Sequence, residues 1–90
     1  MMRAHIIVSG RVQGVNYRSN AQRRGSQLDL VGWVRNLPDG GVEVVAEGPG
    51  EKVEEFLEWC RRGPILAYVS DVEVSWEKPT GEYNDFKIIR

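Results

Sequence analysis

The sequence has few of the side chains that most often carry enzyme chemistry. Its 90 residues include one cysteine, Cys60, and one histidine, His5. A single cysteine excludes an internal disulfide, and without a Cys/His cluster the chain has no zinc site of the usual spacing. No histidine lies at a spacing that would activate a serine or cysteine, and no close acidic cluster is typical of a magnesium site. We therefore expect no metal and no other cofactor, with His5 on a strand face and Cys60 inert in the core.

Long apolar runs are also absent. No run is long enough to cross a membrane, and the amino terminus lacks the hydrophobic stretch of a signal peptide. We therefore expect a cytoplasmic protein with no membrane partner. The composition, 41% hydrophobic and 28% charged, is typical of a folded chain, and its length suits one domain over residues 1–90 with one core. We expect this domain to be a monomer.

The net charge of −1 hides an uneven distribution. Residues 1–36 carry six arginines and one acid, Asp29, whereas residues 37–90 carry six basic and twelve acidic residues. A basic half suits a small anionic ligand, and a nucleic-acid surface is the competing interpretation. The aromatic motif and stacking platform of RNA-binding ferredoxin-like domains are absent, so we expect no nucleic-acid partner.

Alternating apolar residues predict five strands, and two longer stretches predict helices. The helices are expected from about 19 to 28 and over 50–62. The strands are expected over 4–9, 31–37, 42–47, 72–77 and 86–89, with a turn at 38–41 that joins the second and third strands. The order β-α-β-β-α-β plus a short C-terminal strand predicts an α+β, ferredoxin-like split-βαβ fold. Its sheet is mainly antiparallel, with both helices on one face.

Three smaller expectations concern Gly25, Asp29 and the acidic residues. Gly25, inside the first helix, should cost about 1 kcal/mol relative to alanine unless close packing excludes a side chain there. Asp29 should end this helix in a left-handed conformation. The acidic residues crowd into the second helix and onto strand faces, where we expect them to be solvated.

The segment between the first strand and the first helix is the strongest candidate for a binding site. Gly10 and Gly14 tolerate a positive φ or a close approach to the main chain. A strand-loop-helix corner of this kind directs backbone N–H groups and the helix dipole at one point, where an anion such as phosphate can bind. Arg18 could add a forked guanidinium. On the residues alone, a glycine turn followed by a solvated arginine explains the segment equally well.

The available chemistry narrows the reactions that such a site could perform. Backbone N–H groups, a guanidinium and a side-chain amide can bind an anion, stabilise its transition state and orient a water molecule. They supply no strong general acid. The substrate then needs a leaving group that requires no protonation, and a mixed carboxylic-phosphoric anhydride is consistent with this need because it releases a carboxylate.

Two separated motifs resemble those of the acylphosphatase family. Residues 10–18, Gly-Arg-Val-Gln-Gly-Val-Asn-Tyr-Arg, resemble its signature loop, and residues 31–36, Val-Gly-Trp-Val-Arg-Asn, resemble its second signature. The resemblance covers nearly the whole chain and includes the Pro38-Asp39-Gly40 turn, Val42, Glu43, Gly48, Phe56, Trp59, Gly63, Pro64 and the closing Phe86-Lys87-Ile88.

This resemblance implies hydrolysis of acyl phosphates to a carboxylate and inorganic phosphate, without a metal or a phosphoenzyme, and with phosphate as product and inhibitor. The catalytic arginine of the family matches Arg18, which would clamp the phosphate. Its catalytic asparagine matches Asn36, which would hold the attacking water. The phosphate-binding residues, acting through backbone N–H groups, would be Gln13, Gly14, Val15, Asn16, Tyr17 and Arg18.

Two alternatives accompany this interpretation. Asn36 could serve only to begin the 38–41 turn. Acylphosphatase-like domains also occur inside a larger hydrogenase-maturation protein that handles carbamoyl phosphate, so a non-catalytic domain that binds phosphate or carbamoyl phosphate is the alternative function. The chain ends at Arg90, just after the last predicted strand, which favours a free-standing enzyme.

Overall fold

The computed structural model describes residues 1–90 as one five-stranded sheet and two helices. The elements are β1 (Met2–Arg11), α1 (Tyr17–Gln27), β2 (Val31–Asn36), β3 (Val42–Gly48), α2 (Gly50–Arg62), β4 (Tyr68–Glu77) and β5 (Phe86–Ile88). The strand order is β4-β1-β3-β2-β5, and every neighbouring pair is antiparallel except β2 with β5. The predicted ferredoxin-like α+β fold with an added C-terminal strand is confirmed. Neither α1 nor α2 has the length and apolar sequence of a membrane-spanning helix.

The core lies between the two helices and one face of the sheet. In β1, the alternation expected from the sequence buries Ala4, Ile6 and Val8 completely. The apolar stripe of α2 covers this face with Val53, Phe56, Leu57 and Cys60. Cys60 is therefore a core residue, as expected.

Four elements, β1, α1, β3 and β4, extend beyond their predicted bounds. Strand β1 spans Met2–Arg11 rather than 4–9, and β3 gains one residue at its end. Helix α1 begins two residues early, at Tyr17, because Asn16 adopts a left-handed conformation and turns the chain directly into the helix. Strand β4 begins at Tyr68 rather than 72 because its first residues pair with the end of β1. The pairing shifts register between Ser9 and Gly10, and such a bulge disrupts the period-two pattern that identifies a strand in a sequence.

The end of α1 explains two unusual residues. A Cβ atom on Gly25 would lie 2.6 Å from Cδ2 of Phe86, so close packing against β5 excludes a side chain. Asp29 has a φ of 58°, as expected. The N–H of Leu30 bonds to the carbonyl of Gly25 at 2.9 Å, and that of Asp29 bonds to Ser26 at 3.0 Å. This is the Schellman arrangement, which caps the last carbonyls of a helix.

The sheet face opposite the helices, here called the open face, carries most of the charged strand residues. Glu47 lies there with no solvent exposure, so the expectation of solvated acids is wrong for this residue. Its carboxylate accepts hydrogen bonds from Nη1 of Arg3 at 2.8 Å, from the N–H and hydroxyl of Thr80 at 3.1 Å, and from the N–H of Gly81 at 3.2 Å. The chain after β4 therefore folds back over the open face. We call this group the Arg3 cluster; its members are Arg3, Glu47, Glu77, Thr80, Gly81 and Tyr83.

Candidate active site

A pocket of about 330 Å³ lies where β1 leads into α1. The loop 12–16 forms one side of it. Gly14 has a φ of 75° and Asn16 a φ of 65°, so two left-handed residues curl the loop around the pocket. At Gly10 another part of the main chain approaches closely, as predicted. A Cβ atom there would lie 2.2 Å from the carbonyl oxygen of Tyr68. The lining residues are Val12, Gly14, Asn16, Tyr17, Arg18, Ser19, Asn36 and Ile88.

The amino-terminal end of α1 faces this pocket without a capping side chain. Asn16, the N-cap residue, makes no side-chain hydrogen bond to the helix backbone, and the first turn contains no acidic residue. The N–H groups of a first helical turn have no partners within the helix, and the positive end of the helix dipole adds to their field. This end of the pocket therefore favours a negatively charged ligand.

Arg18 lies in the first turn of α1 and lines the same pocket. Its side chain is half-buried and forms none of the protein's ion pairs. The pocket has no acidic lining residue that could pair with it. The guanidinium is therefore available to an anionic ligand in a geometry that suits two oxygens at once.

Asn36, the last residue of β2, also lines the pocket. Its Oδ1 atom is buried and accepts no hydrogen bond from any other residue. The turn after β2 is closed by other groups. The N–H of Leu37 bonds to the carbonyl of Gly41 at 2.8 Å, and Asp39 Oδ1 accepts from the N–H of Gly41 at 2.9 Å. An unpartnered buried amide oxygen is costly, which directs attention to a role in the pocket.

The Gln13 side chain lies outside the pocket and connects the loop to the hairpin that carries Asn36. Its Nε2 donates to the carbonyl of Leu37 at 2.7 Å and to that of Gly41 at 2.8 Å. One nitrogen thus joins the loop to both ends of the turn after β2. The sequence alone did not predict this link, because it depends on the contact of two segments more than 20 residues apart.

The remaining predicted loop residues differ in where their side chains point. Tyr17 is buried, its hydroxyl donates to the carbonyl of Cys60 at 2.8 Å, and its ring packs against Trp59. Tyr17 can therefore offer a ligand only its backbone. Val15 does not line the pocket and faces the loop that precedes β4.

The other reactive side chains lie elsewhere. Burial raises the pKa of the Cys60 thiol to about 12, so it stays protonated and inert at neutral pH. His5 lies on the open face, as expected, with Nε2 2.6 Å from Glu43. No group of three or more His, Cys, Asp and Glu side chains is placed to hold a metal ion. Ile88, which lines the pocket, was not predicted, since only the parallel pairing of β2 with β5 brings it there.

The chain is similar to known proteins in both sequence and fold. The family model described as Acylphosphatase matches residues 4–88. A curated acylphosphatase of Methylococcus capsulatus is 56% identical over 90 residues, which is all of this chain and 98% of that protein. The crystal structure of acylphosphatase from Bacillus subtilis superposes with a TM-score of 0.96 at 37% identity, and each chain is fully covered. The structure of HypF from Thermococcus kodakarensis has a TM-score of 0.85 at 35% identity, and this chain covers 12% of it. The chain belongs to the acylphosphatase family.

Proposed function

We propose that the pocket binds the phosphoryl group of an acyl phosphate in a cradle formed by Arg18 and the backbone N–H groups of residues 13–18. The overall activity, hydrolysis of acyl phosphates to a carboxylate and inorganic phosphate, follows from membership of the family. The observation that carries the assignment of Arg18 is its half-buried guanidinium, which lines the pocket and has no internal ion pair. Cationic and N–H donors fixed around a phosphoryl group stabilise the charge that develops on its oxygens in the transition state.

Asn36 is the residue that we assign to the nucleophilic water. Its free Oδ1 can accept a hydrogen bond from a water molecule on the β2 side of the pocket. Such a water would be held for attack on phosphorus, with the leaving oxygen on the opposite side. The Gln13 link would keep this water site in register with the cradle.

The leaving group explains why the site needs no strong acid. A carboxylate leaves without protonation, and no acidic or histidine side chain lines the pocket. Catalysis then depends on charge stabilisation and on the orientation of the water. Inorganic phosphate occupies the same cradle as product, so it should act as a competitive inhibitor. We also propose that the protein acts as a monomer in the cytoplasm.

The first test is hydrolysis of benzoyl phosphate in the presence of a chelator, with wild type and Arg18→Ala side by side. We expect wild type to be active and Arg18→Ala to lose both phosphate binding and activity, by about a hundredfold or more, because it loses a principal transition-state donor. Arg23→Ala is the matched control. It removes one positive charge from an exposed position of the same helix that does not line the pocket, and it should stay active.

The alternative is a domain that binds phosphate or carbamoyl phosphate without hydrolysing acyl phosphates, which the resemblance to part of HypF favours. A folded wild type that binds phosphate but does not hydrolyse benzoyl phosphate would select this alternative. An Arg18→Ala protein with normal activity would remove Arg18 from its assigned role.

A further inference from the structure

Two large apolar side chains are exposed beside the pocket. Ile65 and Leu66, in the loop between α2 and β4, expose 98% and 68% of their surface. With Val15, Asn16, Asn20 and Pro64 they line a groove of about 430 Å³. Adjacent aliphatic residues this exposed make no contribution to the core, so the fold does not explain them.

The groove adjoins the pocket of the proposed phosphate cradle. Asn16 lines both. The side chain of Asn20 is tied to the same point, because its Nδ2 donates to the carbonyl of Asn16 at 2.8 Å. A ligand whose phosphoryl group occupies the cradle could therefore extend past Asn16 into the groove without leaving the protein surface.

The position of the groove suits the leaving group of an in-line reaction. In the sheet, β1 lies between β4 on one side and the β3–β2 pair on the other. The cradle follows β1, Asn36 ends β2, and the groove loop leads into β4. In the strand order, Asn36 and the groove loop thus lie on opposite sides of β1, the strand that leads into the cradle. Attacking and leaving oxygens also lie on opposite sides of phosphorus in phosphoryl transfer.

The chemistry of the lining indicates what the groove accepts. None of its residues is charged: Val15, Pro64, Ile65 and Leu66 are apolar, and Asn16 and Asn20 are neutral amides. A second carboxylate on the substrate would find no cation there, whereas an alkyl or aryl group would find aliphatic contacts.

We propose that this groove is an acyl-group subsite that selects acyl phosphates with an uncharged, apolar acyl chain. The proposal rests on the function proposed above, since it needs the phosphoryl group in the cradle. It assigns substrate preference to Ile65 and Leu66, two residues that take no part in the chemical step.

The test compares acetyl phosphate with butanoyl phosphate in wild type, Ile65→Ser and Leu66→Ser. Each methylene that the groove buries should lower KM by about fourfold at most, so we expect wild type to favour butanoyl phosphate by about tenfold. Each serine variant should lose most of this preference through a higher KM for butanoyl phosphate, with kcat and the KM for acetyl phosphate unchanged. Both positions are exposed, so folding should not be affected.

Tyr68→Thr is the matched control. Tyr68 is 70% exposed and lies in the same region, but it does not line the groove. This variant should keep the wild-type preference. The same preference in both serine variants, or a wild type that does not distinguish the two substrates, would overturn the subsite while leaving acyl phosphate hydrolysis intact. A wild type inactive on both substrates would overturn the proposed function itself.

Light scattering on wild type and Leu66→Ser tests whether the groove is instead a contact between two copies of the chain. A wild-type dimer that Leu66→Ser converts to a monomer, without any change in the ratio of KM values, would identify the groove as a contact between two copies of the chain. That result would also overturn the acyl subsite.

Discussion

Arg18 and Arg3 are both partly buried arginines, but their surroundings differ in kind. Arg3 forms ion pairs with Glu47 and Glu77, each at 2.8 Å, and a hydrogen bond to the hydroxyl of Tyr83 at 3.3 Å. Arg18 has no ion pair and lines a pocket. A charge that is paired within the chain is costly to leave without its partner, whereas a charge without an internal partner remains available to a ligand. The protein thus separates the polar groups that hold the fold from those assigned to binding.

The pKa shifts agree with this division. Burial by itself lowers the pKa of Arg3, but the hydrogen bonds to Glu77 and Glu47 outweigh it and raise the pKa overall. Burial tends to raise the pKa of Glu47, but Arg3 and the groups of Thr80 and Gly81 lower it overall. Both partners are therefore held in their charged forms by contacts within the Arg3 cluster.

The largest effect on activity without loss of stability is expected at Asn36, which lines the pocket and has a buried side-chain oxygen without a partner. Asn36→Ala should lower kcat by about 10²- to 10³-fold, because the water is no longer oriented. It should change the inhibition constant of phosphate by less than about twofold, since the amide is assigned to water and not to phosphate. Removal of an unsatisfied group should not lower the free energy of unfolding. Steady-state kinetics and urea denaturation check the three values, and loss of phosphate affinity would show Asn36 to be structural.

The opposite result is expected at Glu47. Glu47→Ala leaves the Arg3 guanidinium without its buried partner and should lower the free energy of unfolding by about 3 kcal/mol. Activity of the folded fraction should stay near that of wild type. Glu73→Ala, on the exposed surface of β4, is the control and should change stability by less than about 0.5 kcal/mol. Urea denaturation measures both variants; equal stability in the two would mean that the Arg3 cluster does not hold the fold.

Gln13 belongs both to the groups that hold the fold and to the groups assigned to the pocket. Its side-chain contacts are internal, but they join the cradle loop to the turn that follows Asn36. Gln13→Met keeps the size of the side chain and removes both hydrogen bonds, so kcat should fall about tenfold as Asn36 shifts relative to the cradle. Asp39→Ala is the matched control, since it loosens the same turn without detaching it from the loop. Measurement of kcat and KM for both variants checks this prediction. If Asp39→Ala lowers kcat equally, Gln13 only supports the turn.

The smallest expected effect is on how the free energy of unfolding depends on pH. Because Glu43 and Glu47 have lowered pKa values in the folded protein, their contribution to stability is complete above the unfolded-state pKa of about 4.3 and is lost as pH falls through the folded values. Glu47→Gln should therefore lose less stability than wild type between pH 6 and pH 3. Denaturant titrations at several pH values measure this difference. Arg18→Ala should follow the wild-type curve, and a parallel loss in Glu47→Gln would contradict the assignment.

Local patterns predicted most of the secondary structure. The second helix was predicted at 50–62, where it lies, because its stripe of Val53, Phe56, Leu57 and Cys60 follows the helical period closely. The start of β4 was missed because its pairing with β1 is shifted by a bulge. The start of α1 was missed because a left-handed Asn16 replaces a side-chain cap.

The sequence by itself determined the fold class, the family and the loop that carries the candidate site. The loop and the first turn of α1 are continuous in the chain, so glycine spacing and a nearby arginine identify them without tertiary information. Asn36 was expected at this site from its place in the second family motif, and the structure places it in the pocket. Only the tertiary structure decided the other distant contacts. It placed Ile88 in the pocket, Gln13 on the β2–β3 turn, and Glu47 beneath the segment after β4. These contacts depend on strand order and on where long connections fold back, and no local pattern encodes either one.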